Sequence, residues 1–564
     1  MPEQGLSAPA ASVDSRSETQ PRNPALRRRY LTAALAWIPR LLGAIDRNPY
    51  RPTYGCFDRE FWHYRTSSFP SEMHQEGVLP LALVYAHDLP GNRWRRCPRV
   101  RELAIAALKF SARSAHADGS CDDYYPFERA LGAAVFSLQA AARAYELLEL
   151  DEPALLASLE RRARWIIDHD ESGRLANHQA LAALGLARLA KITGQNIYRD
   201  AARRRVHRVL DWQSSEGWFE EYGGADPGYQ TVTIDCLAKL RRLWNDASLD
   251  GPLRRAVEFA GHFLHPDDSY GGEYGSRGTY HFYPHGFELL TAENAQAARL
   301  ADGFLRSLAA GTNAYFDDDR MYVHRLGNLI EAYLDWAPAM PAETPQPRET
   351  ICIRLPDAGL FVRRDSETQT VISAARGGVF KHFAPNAPPV TDAGLIVQMA
   401  DGIAVSQSHD RTRSMESLPS ATGEDDDDTT VVSVSGPLHW VRFETATPLK
   451  QAVLQVGMAT VGRFCRTLVR RLLQRRLITG RRESPIRLTR SFEFLPGKLR
   501  VVDRIELLDR KLQVERMSFA GDLQAAYVAA ADVYQDSVLQ SWTDLQAHVA
   551  ELNERRSVTI VREL

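Results

Sequence analysis

Cysteine is scarce in this chain. Six cysteines occur in 564 residues, at positions 56, 97, 121, 236, 352 and 465, and no two of them form a Cys-x-x-Cys motif. So few thiols in so long a chain exclude a disulfide-based scaffold and predict reduced, packed side chains. We predict neither a metal nor a cofactor.

Long hydrophobic runs are also missing. No stretch reaches 18 uninterrupted apolar residues, so the sequence predicts no membrane span. The first residues, up to Arg22, are rich in Ser, Pro, Ala, Glu and Gln and lack the apolar segment of a secretory signal. We therefore expect a disordered lead-in over residues 1–28 and a cytoplasmic protein.

An excess of charge of either sign is absent as well. The 69 Lys and Arg residues nearly balance 71 Asp and Glu residues, for a net charge of −2. This balance excludes a chain built to neutralise a nucleic-acid backbone. With 44% apolar and 25% charged residues, the composition is that of a globular protein.

Helical periodicity dominates residues 29–336, in Ala-, Leu- and Arg-rich segments. Three loops of similar composition, beginning at Asp118, Ser215 and Asp267, interrupt them with glycine turns, aromatic residues and acids. Equivalent loops between repeated helical hairpins predict an α/α toroid whose mouth carries the binding residues.

The pattern changes after residue 336. Residues 337–349 are proline-rich and predict an extended linker. From 350 to 564, short alternating runs of β-forming residues between turns predict an antiparallel β-sandwich. The fold class predicted is therefore α+β and multidomain, an N-terminal α/α toroid followed by a C-terminal β-sandwich.

A basic segment interrupts the β pattern. Residues 462–482 hold eight arginines, with leucines at helical spacing, and predict a basic amphipathic helix. One interpretation packs its leucine face on the sandwich and leaves the arginines in solvent. The other gives it peripheral contact with an anionic surface, either a membrane or an acidic polymer.

The predicted mouth of the toroid is rich in aromatic and acidic side chains. Aromatic faces stack on sugar rings, and carboxylates accept hydrogen bonds from sugar hydroxyls. This composition favours an extended saccharide as the ligand. The candidate sugar-binding residues are Tyr124, Tyr125, Trp218, Glu221, Tyr274, Tyr280 and His281.

The order of segments resembles that of the heparinase II/III-like polysaccharide lyases. Three stretches carry the resemblance: residues 175–185, which contain Leu-Ala-Asn-His-Gln; residues 228–233, Gly-Tyr-Gln-Thr-Val-Thr; and residues 355–383, which match the opening strands of the family's sandwich. The resemblance implies an enzyme, a carbon–oxygen lyase that cleaves an acidic, uronic-acid-containing polysaccharide by β-elimination.

The same resemblance implies roles for four residues. β-Elimination removes the proton on C5 of the uronic acid and expels the oxygen on C4. Asn177 would neutralise the sugar carboxylate, and His178 and Tyr229 would act as base and acid. Arg277 would grip the carboxylate or favour the phenolate form of Tyr229.

The family's sandwich presents a His-rich cluster, of which this sequence keeps little. In residues 377–386 only His382 remains, which argues against a zinc site. A second catalytic histidine, if the reaction needs one, falls to His382, or to His281 or His285.

Other interpretations stay open at this point. Asn177 could merely cap a helix beginning at His178. The toroid could carry an inverting glycoside hydrolase, which needs two separated carboxyl groups; the mouth offers Asp122 or Asp123, Glu220 or Glu221, and Glu273. A third alternative is a non-catalytic glycan-binding or assembly protein.

Overall fold

The computed structural model describes residues 19–171, 173–315, 321–342, 350–418, 431–443, 445–465, 468–469, 472–473, 482–495, 497–522, 535 and 539–564. Helices fill the first part of the chain. They are α1 (Pro24–Ala44), α2 (Val78–Ala86), α3 (Pro98–Ser114), α4 (Leu131–Leu147), α5 (Pro153–Asp168), α6 (Ala176–Thr193), α7 (Asn196–Asp211), α8 (Pro227–Trp244), α9 (Asp250–Gly261), α10 (His285–Leu290), α11 (Ala295–Ala310) and α12 (Tyr322–Leu334), with α13 (Pro448–Ala459) and α14 (Val549–Arg555) further on.

Strands fill most of the second part. They are β1 (Thr19–Pro21), β2 (Ala339–Pro341), β3 (Ile351–Leu355), β4 (Leu360–Arg364), β5 (Gln369–Ser373), β6 (Val379–Phe383), β7 (Val390–Asp392), β8 (Leu395–Met399), β9 (Gly402–Val405), β10 (Met415–Leu418), β11 (Val431–Val441), β12 (Glu483–Leu495), β13 (Lys498–Leu507), β14 (Val514–Phe519), β15 (Thr543–Asp544) and β16 (Ser557–Glu563). All their pairings are antiparallel among the described residues.

The first twelve helices form two concentric rings. The even-numbered helices α2 to α12 contact one another in sequence, and α12 returns to α2 to close the inner ring. The odd-numbered helices pack outside them, with α1 against α11 and α12. The sequences fit these places, because α6 is buried on nearly all sides whereas α7 buries one stripe. This arrangement is an α/α toroid.

The N-terminal segment differs from its predicted disorder. β1 pairs with β2, which lies inside the predicted linker. Next to it, Arg22 is buried and forms ion pairs with Glu288 at 2.6 Å and with Asp302 at 2.7 Å. These tertiary contacts order a segment whose composition alone favours disorder. Residues 1–18 and 343–349, the rest of the predicted lead-in and linker, lie outside the described residues.

Two antiparallel sheets form a β-sandwich. One has the strand order β3-β4-β5-β6-β7; the other has the order β15-β14-β8-β9-β11-β12-β13-β16, with β10 added to β11. Their facing sides meet through the ring pairs Phe361–Phe494, 6.0 Å apart, and Phe380–Phe492, 5.3 Å apart. The predicted fold class, a helical toroid followed by an antiparallel sandwich, is confirmed.

The five-stranded sheet packs on one end of the toroid. Consecutive helices are antiparallel, so every loop from an outer to an inner helix lies at that end. Arg364 of β4 donates to the Leu264 carbonyl at 3.1 Å, and Gln369 of β5 donates to the His262 carbonyl at 3.2 Å. The toroid mouth therefore faces the sandwich.

The predicted basic helix at 462–482 lies largely outside the described residues. Its first part is a single 3₁₀ turn at Gly462–Phe464. The α-helix α13 stands just before it, where the sequence pattern predicted none. None of the described helices has the length and apolarity needed to cross a membrane.

Candidate functional site

Asn177 and Glu221 are joined at the toroid mouth by two hydrogen bonds. The backbone N–H of Asn177 donates to Oε1 of Glu221 at 2.7 Å, and its amide Nδ2 donates to Oε2 at 3.1 Å. Both side chains are buried. Burial raises the pKa of Glu221 well above its usual range, against the opposing effect of the hydrogen bond from Asn177. Burial therefore disfavours the charged form of Glu221.

Asn177 does not cap its helix. Helix α6 begins at Ala176, and the residue at the cap position is Leu175. The alternative in which Asn177 serves as the N-cap is therefore wrong. Its Oδ1 atom is buried and has no hydrogen-bond partner among the described residues. Since Oδ1 can only accept, the group that the amide could offer to an anion is the second N–H of Nδ2.

Asp226 holds Tyr229 and Arg277 in place. Its carboxylate accepts from the backbone N–H of Tyr229 at 3.1 Å and from that of Arg277 at 2.9 Å, and also from the hydroxyl of Thr279. Asp226 is the N-cap of α8, and Pro227 follows at the first helical position. Tyr229 thus lies in the first turn of α8.

Arg277 is buried beside the ring of Tyr222. It is 8% exposed, and its guanidinium carbon lies 4.2 Å from the centre of the Tyr222 ring. Its Nε has no hydrogen-bond partner, and none of the ion pairs between described residues includes Arg277. The guanidinium is therefore placed to accept an anion.

The tyrosines beside Arg277 keep their protons. Burial raises the pKa of Tyr222 to about 12 and that of Tyr229 well above the usual value, and the charge of Arg277 opposes both shifts. Tyr222 also has the left-handed φ of +52°, which non-glycine residues adopt mainly where tertiary contacts require it. Both hydroxyls can therefore donate a proton at neutral pH.

His178 points its ring at Glu171. Its Nδ1 lies 3.0 Å from Oε2 of Glu171, and its ring meets the edge of Phe136 at 5.9 Å. Burial lowers the pKa of His178 to about 4, so the ring is neutral near pH 7. Because a carboxylate can only accept, Nδ1 carries the proton and Nε2 is the basic nitrogen. One fifth of the side chain is exposed.

The sandwich contributes His409 to the same region. A methyl group at Gly224 would come within 2.5 Å of Nε2 of His409 and 2.8 Å of Cβ of Ser276, so glycine at 224 permits this close approach. Ser276 in turn donates to the carbonyl of Glu221 at 2.9 Å. His409 was missed by sequence analysis, because no motif surrounds it.

The histidines singled out from the sequence lie elsewhere. On β6, consecutive side chains point to opposite faces, and Lys381 faces the toroid, where its Nζ lies 3.3 Å from Glu273. His382 therefore points away from the mouth, and its Nδ1 contacts the hydroxyl of Thr370 at 2.9 Å. His382 is not part of the cluster.

His281 and His285 are engaged in other contacts. His281 is buried and contacts the guanidinium of Arg325. His285 is buried, with Nε2 2.7 Å from Asp335 and Nδ1 3.4 Å from Glu331. Neither has a contact with the Asn177–Tyr229–Arg277 group among the described interactions. No cluster of three or more His, Cys, Asp or Glu side chains in the described part of the chain is arranged to hold a metal ion.

Most of the predicted sugar-stacking aromatics are packing residues. Tyr274 and Tyr280 are buried, with hydroxyls bonded to His265 and Glu273 respectively. Trp218 is 3% exposed. Of the predicted aromatics, Tyr124 is 46% exposed and Tyr125 is half-buried, so both reach the surface at the mouth.

The acids proposed for a hydrolase are engaged in contacts within the fold. Asp122 accepts from two backbone N–H groups, those of Phe127 and Arg129, at 2.8 and 3.0 Å, and Asp123 accepts from Ser71 at 2.7 Å. The remaining pairs are Glu220 with Arg174, Glu221 with Asn177, and Glu273 with Lys381 and Tyr280.

Comparison with known proteins finds the likeness in structure only. No protein-family model matches the chain, and no curated protein matches its sequence. A xanthan lyase from Paenibacillus superposes with a TM-score of 0.51 at 11% identity, over 88% of this chain and 47% of that one. The chain thus spans about half the length of the xanthan lyase.

Two further solved structures superpose less closely. Heparinase III has a TM-score of 0.47 at 11% identity, over 96% of this chain and 83% of that one. A chondroitin AC lyase variant from Streptomyces coelicolor A3 has a TM-score of 0.44 at 13% identity, over 88% of this chain and 71% of that one. At 11% sequence identity, the likeness to the xanthan lyase concerns the fold alone. The chain has a polysaccharide lyase-like fold.

Proposed function

We propose that this protein cleaves an acidic, uronic-acid-containing polysaccharide by β-elimination at the group formed by Asn177, His178, Tyr229 and Arg277. The observation that carries the proposal is the guanidinium of Arg277, which is buried and forms no ion pair with a described residue. Burying a charge that has no ion-pair partner is costly, and burial disfavours the charged form of the neighbouring Glu221. A carboxylate of the substrate would supply the missing charge, with bidentate geometry available to it.

The neighbouring groups suit the steps of the reaction. Neutral His178, with Nε2 unprotonated, is assigned to remove the C5 proton. Protonated Tyr229 is assigned to donate its proton to the C4 oxygen as the C4–O bond breaks, which leaves a C4–C5 double bond. Arg277 and the amide of Asn177 stabilise the negative charge that develops on the carboxylate and C5.

The substrate chain is proposed to lie across the mouth between toroid and sandwich. Tyr124 and Tyr125 offer rings for stacking. His409, which lies against Gly224, extends the site from the sandwich side. The hydrolase alternative is supported less well, because each candidate acid already accepts a hydrogen bond or forms an ion pair within the fold.

The experiment is a panel of acidic polysaccharides assayed for two products. We expect near-ultraviolet absorbance from a new C4–C5 double bond, and we expect Tyr229→Phe to abolish it while the protein stays folded. The control is Tyr85→Phe, which removes the same atom from a half-buried ring near the end of α2 that lies away from the mouth and should change nothing.

Three other results would contradict the proposal. New reducing ends without absorbance would indicate a hydrolase, and polysaccharide binding without any product would indicate a binding protein. If Tyr229→Phe keeps more than about a tenth of the wild-type kcat/KM, a loss below ~1.4 kcal/mol, Tyr229 is a packing residue.

A further inference from the structure

Helix α13 carries apolar side chains that remain largely exposed in the described part of the chain. Leu449 is 74%, Val453 65% and Val456 63% exposed. Their spacing of four and then three residues places them on one side of the helix. Met458 is the one side chain of α13 that is fully buried, so the helix is held to the body by little of its surface.

The apolar exposure continues past the end of α13. Val461 is 71% exposed and Phe464 80% exposed. We call the five residues Leu449, Val453, Val456, Val461 and Phe464 the α13 surface. Contiguous exposed apolar side chains of this kind mark contact sites for a protein, a ligand or a membrane.

The segment of sequence that carries the α13 surface has charge of one sign. Between Thr445 and Arg482 the sequence has no Asp or Glu, but it has one Lys and eight Arg, in a chain whose net charge is −2. Within the described part of this stretch, the exposed Lys450 and Arg463 flank the apolar side chains. An occupant must therefore accept apolar side chains and supply negative charge together.

A membrane rich in anionic phospholipid meets both requirements. Leucine, valine and phenylalanine side chains enter the boundary between headgroups and acyl chains, while lysine and arginine stay at the phosphate level. An acidic polysaccharide would supply the charge but no apolar phase for Leu449 or Phe464. We propose that the α13 surface docks this protein peripherally on an anionic lipid membrane.

The position of α13 gives this docking a consequence for the toroid. Gln455, Val456 and Ala459 line a cavity of about 470 Å³ together with toroid residues such as Phe61 and Phe127. These toroid residues belong to loops that run from outer to inner helices, at the mouth end. Docking through α13 would therefore hold the mouth of the toroid close to the membrane surface.

The test is vesicle flotation of the full chain. Vesicles of phosphatidylcholine and phosphatidylglycerol in equal parts are compared with vesicles of phosphatidylcholine alone. We expect the protein to float with the anionic vesicles and not with the neutral ones. Raising the salt from 0.1 M to 1 M shortens the screening length from ~10 Å to ~3 Å, and should weaken the binding.

The apolar contribution is tested by a triple variant, Leu449→Ser with Val453→Ser and Phe464→Ser. Each removed side chain is exposed, so folding should be unaffected, and the partition coefficient should fall by about tenfold or more. The matched control replaces three other exposed apolar residues, Ile197, Leu508 and Leu539, which are 52%, 60% and 77% exposed, with serine.

Several outcomes would overturn the proposal. These are no flotation with anionic vesicles at low salt, equal flotation with neutral vesicles, or an equal loss in the triple variant and its control. Retention of dextran sulfate by the wild type, lost in the triple variant while flotation persists, would identify an acidic polymer as the occupant. None of these measurements depends on lyase activity, so they are separable from the proposed function.

Discussion

Asn177 is the residue at which structure and chemistry can be separated most directly. Asn177→Ala removes the hydrogen bond from the side-chain amide to Glu221 but keeps the hydrogen bond from the backbone N–H. Loss of one such hydrogen bond should lower the free energy of unfolding by about 1 kcal/mol. Loss of a group that stabilises the developing charge should lower kcat/KM by ~10²-fold or more. Thermal unfolding and initial rates measure the two effects.

The companion variant is Asn177→Asp, which keeps the shape of the side chain. It places a second carboxyl group beside Glu221, so it should be less stable than Asn177→Ala near pH 7 and equally inactive. If either variant keeps its specific activity while its melting temperature falls, Asn177 supports the fold alone.

At the residue scale, part of the cluster was predictable from the sequence. Asn177, Tyr229 and Arg277, singled out by type and motif, are linked by the structure through Glu221, Ser276 and Asp226; their roles stay proposals. Asp226 could have been found, because Asp before Pro is a helix-start signal. His409 could not, because its place depends on a contact between residues far apart in the chain.

At the element scale, the alternation of side chains along strand β6 determines which way His382 points. Since the strand turns Lys381 toward the toroid, we expect His382→Gln to leave kcat/KM within about twofold of the wild type. Burial lowers the pKa of His382 to about 4, below its unfolded value of about 6.5. The unfolded chain therefore takes up the proton first, and stability is lost as the pH falls from about 6.5 toward 4.

His382→Gln removes the loss of stability that protonation of His382 causes at low pH. Between pH 7 and pH 5, the variant should lose less unfolding free energy than the wild type, by on the order of 1–2 kcal/mol. Urea unfolding at the two pH values measures this difference. His262, whose pKa burial also lowers to about 4, is unchanged in the variant, so parallel curves for the two proteins would contradict the assignment to His382.

Helices and strands with a long periodic pattern were predictable from the sequence. Those whose formation depends on tertiary contacts were not. The Ala- and Leu-rich periodic segments predicted the toroid helices. Helix α8, however, begins at Pro227, before its apolar pattern starts. The pairing of β1 with β2 was missed, because three-residue strands have no periodic signal and depend on the neighbouring Arg22–Glu288 ion pair. Helix α13 was missed because its apolar residues are exposed rather than buried.

At the scale of the whole molecule, the order of toroid and sandwich followed from composition, but their contact did not. The sandwich reaches the toroid through single side chains, such as Lys381 to Glu273 and Arg376 to the loop before Arg277. Such pairs leave no pattern in the sequence, because each joins residues about a hundred positions apart. The composite mouth is therefore a property of the folded chain.

Arg376 provides the test of that composite mouth. Its Nε donates to the Gly275 carbonyl at 2.9 Å, its Nη1 to the Gln407 carbonyl at 3.0 Å, and its Nη2 to the Ser276 carbonyl. Arg376→Ala frees the loop that carries Arg277, and a displaced binding group costs ~10- to 10²-fold in kcat/KM. We expect that loss, seen first as a raised KM.

The matched control is Arg364→Ala. It also removes a hydrogen bond between sandwich and toroid, the bond from Arg364 to the Leu264 carbonyl. Each variant should lose about 1–3 kcal/mol of unfolding free energy, but only Arg376→Ala should lose activity in the folded fraction. If both variants lose activity equally, the sandwich supports the toroid in general. If neither does, the position of Arg277 is fixed from within the toroid, by Asp226, and the sandwich has no part in holding the substrate carboxylate.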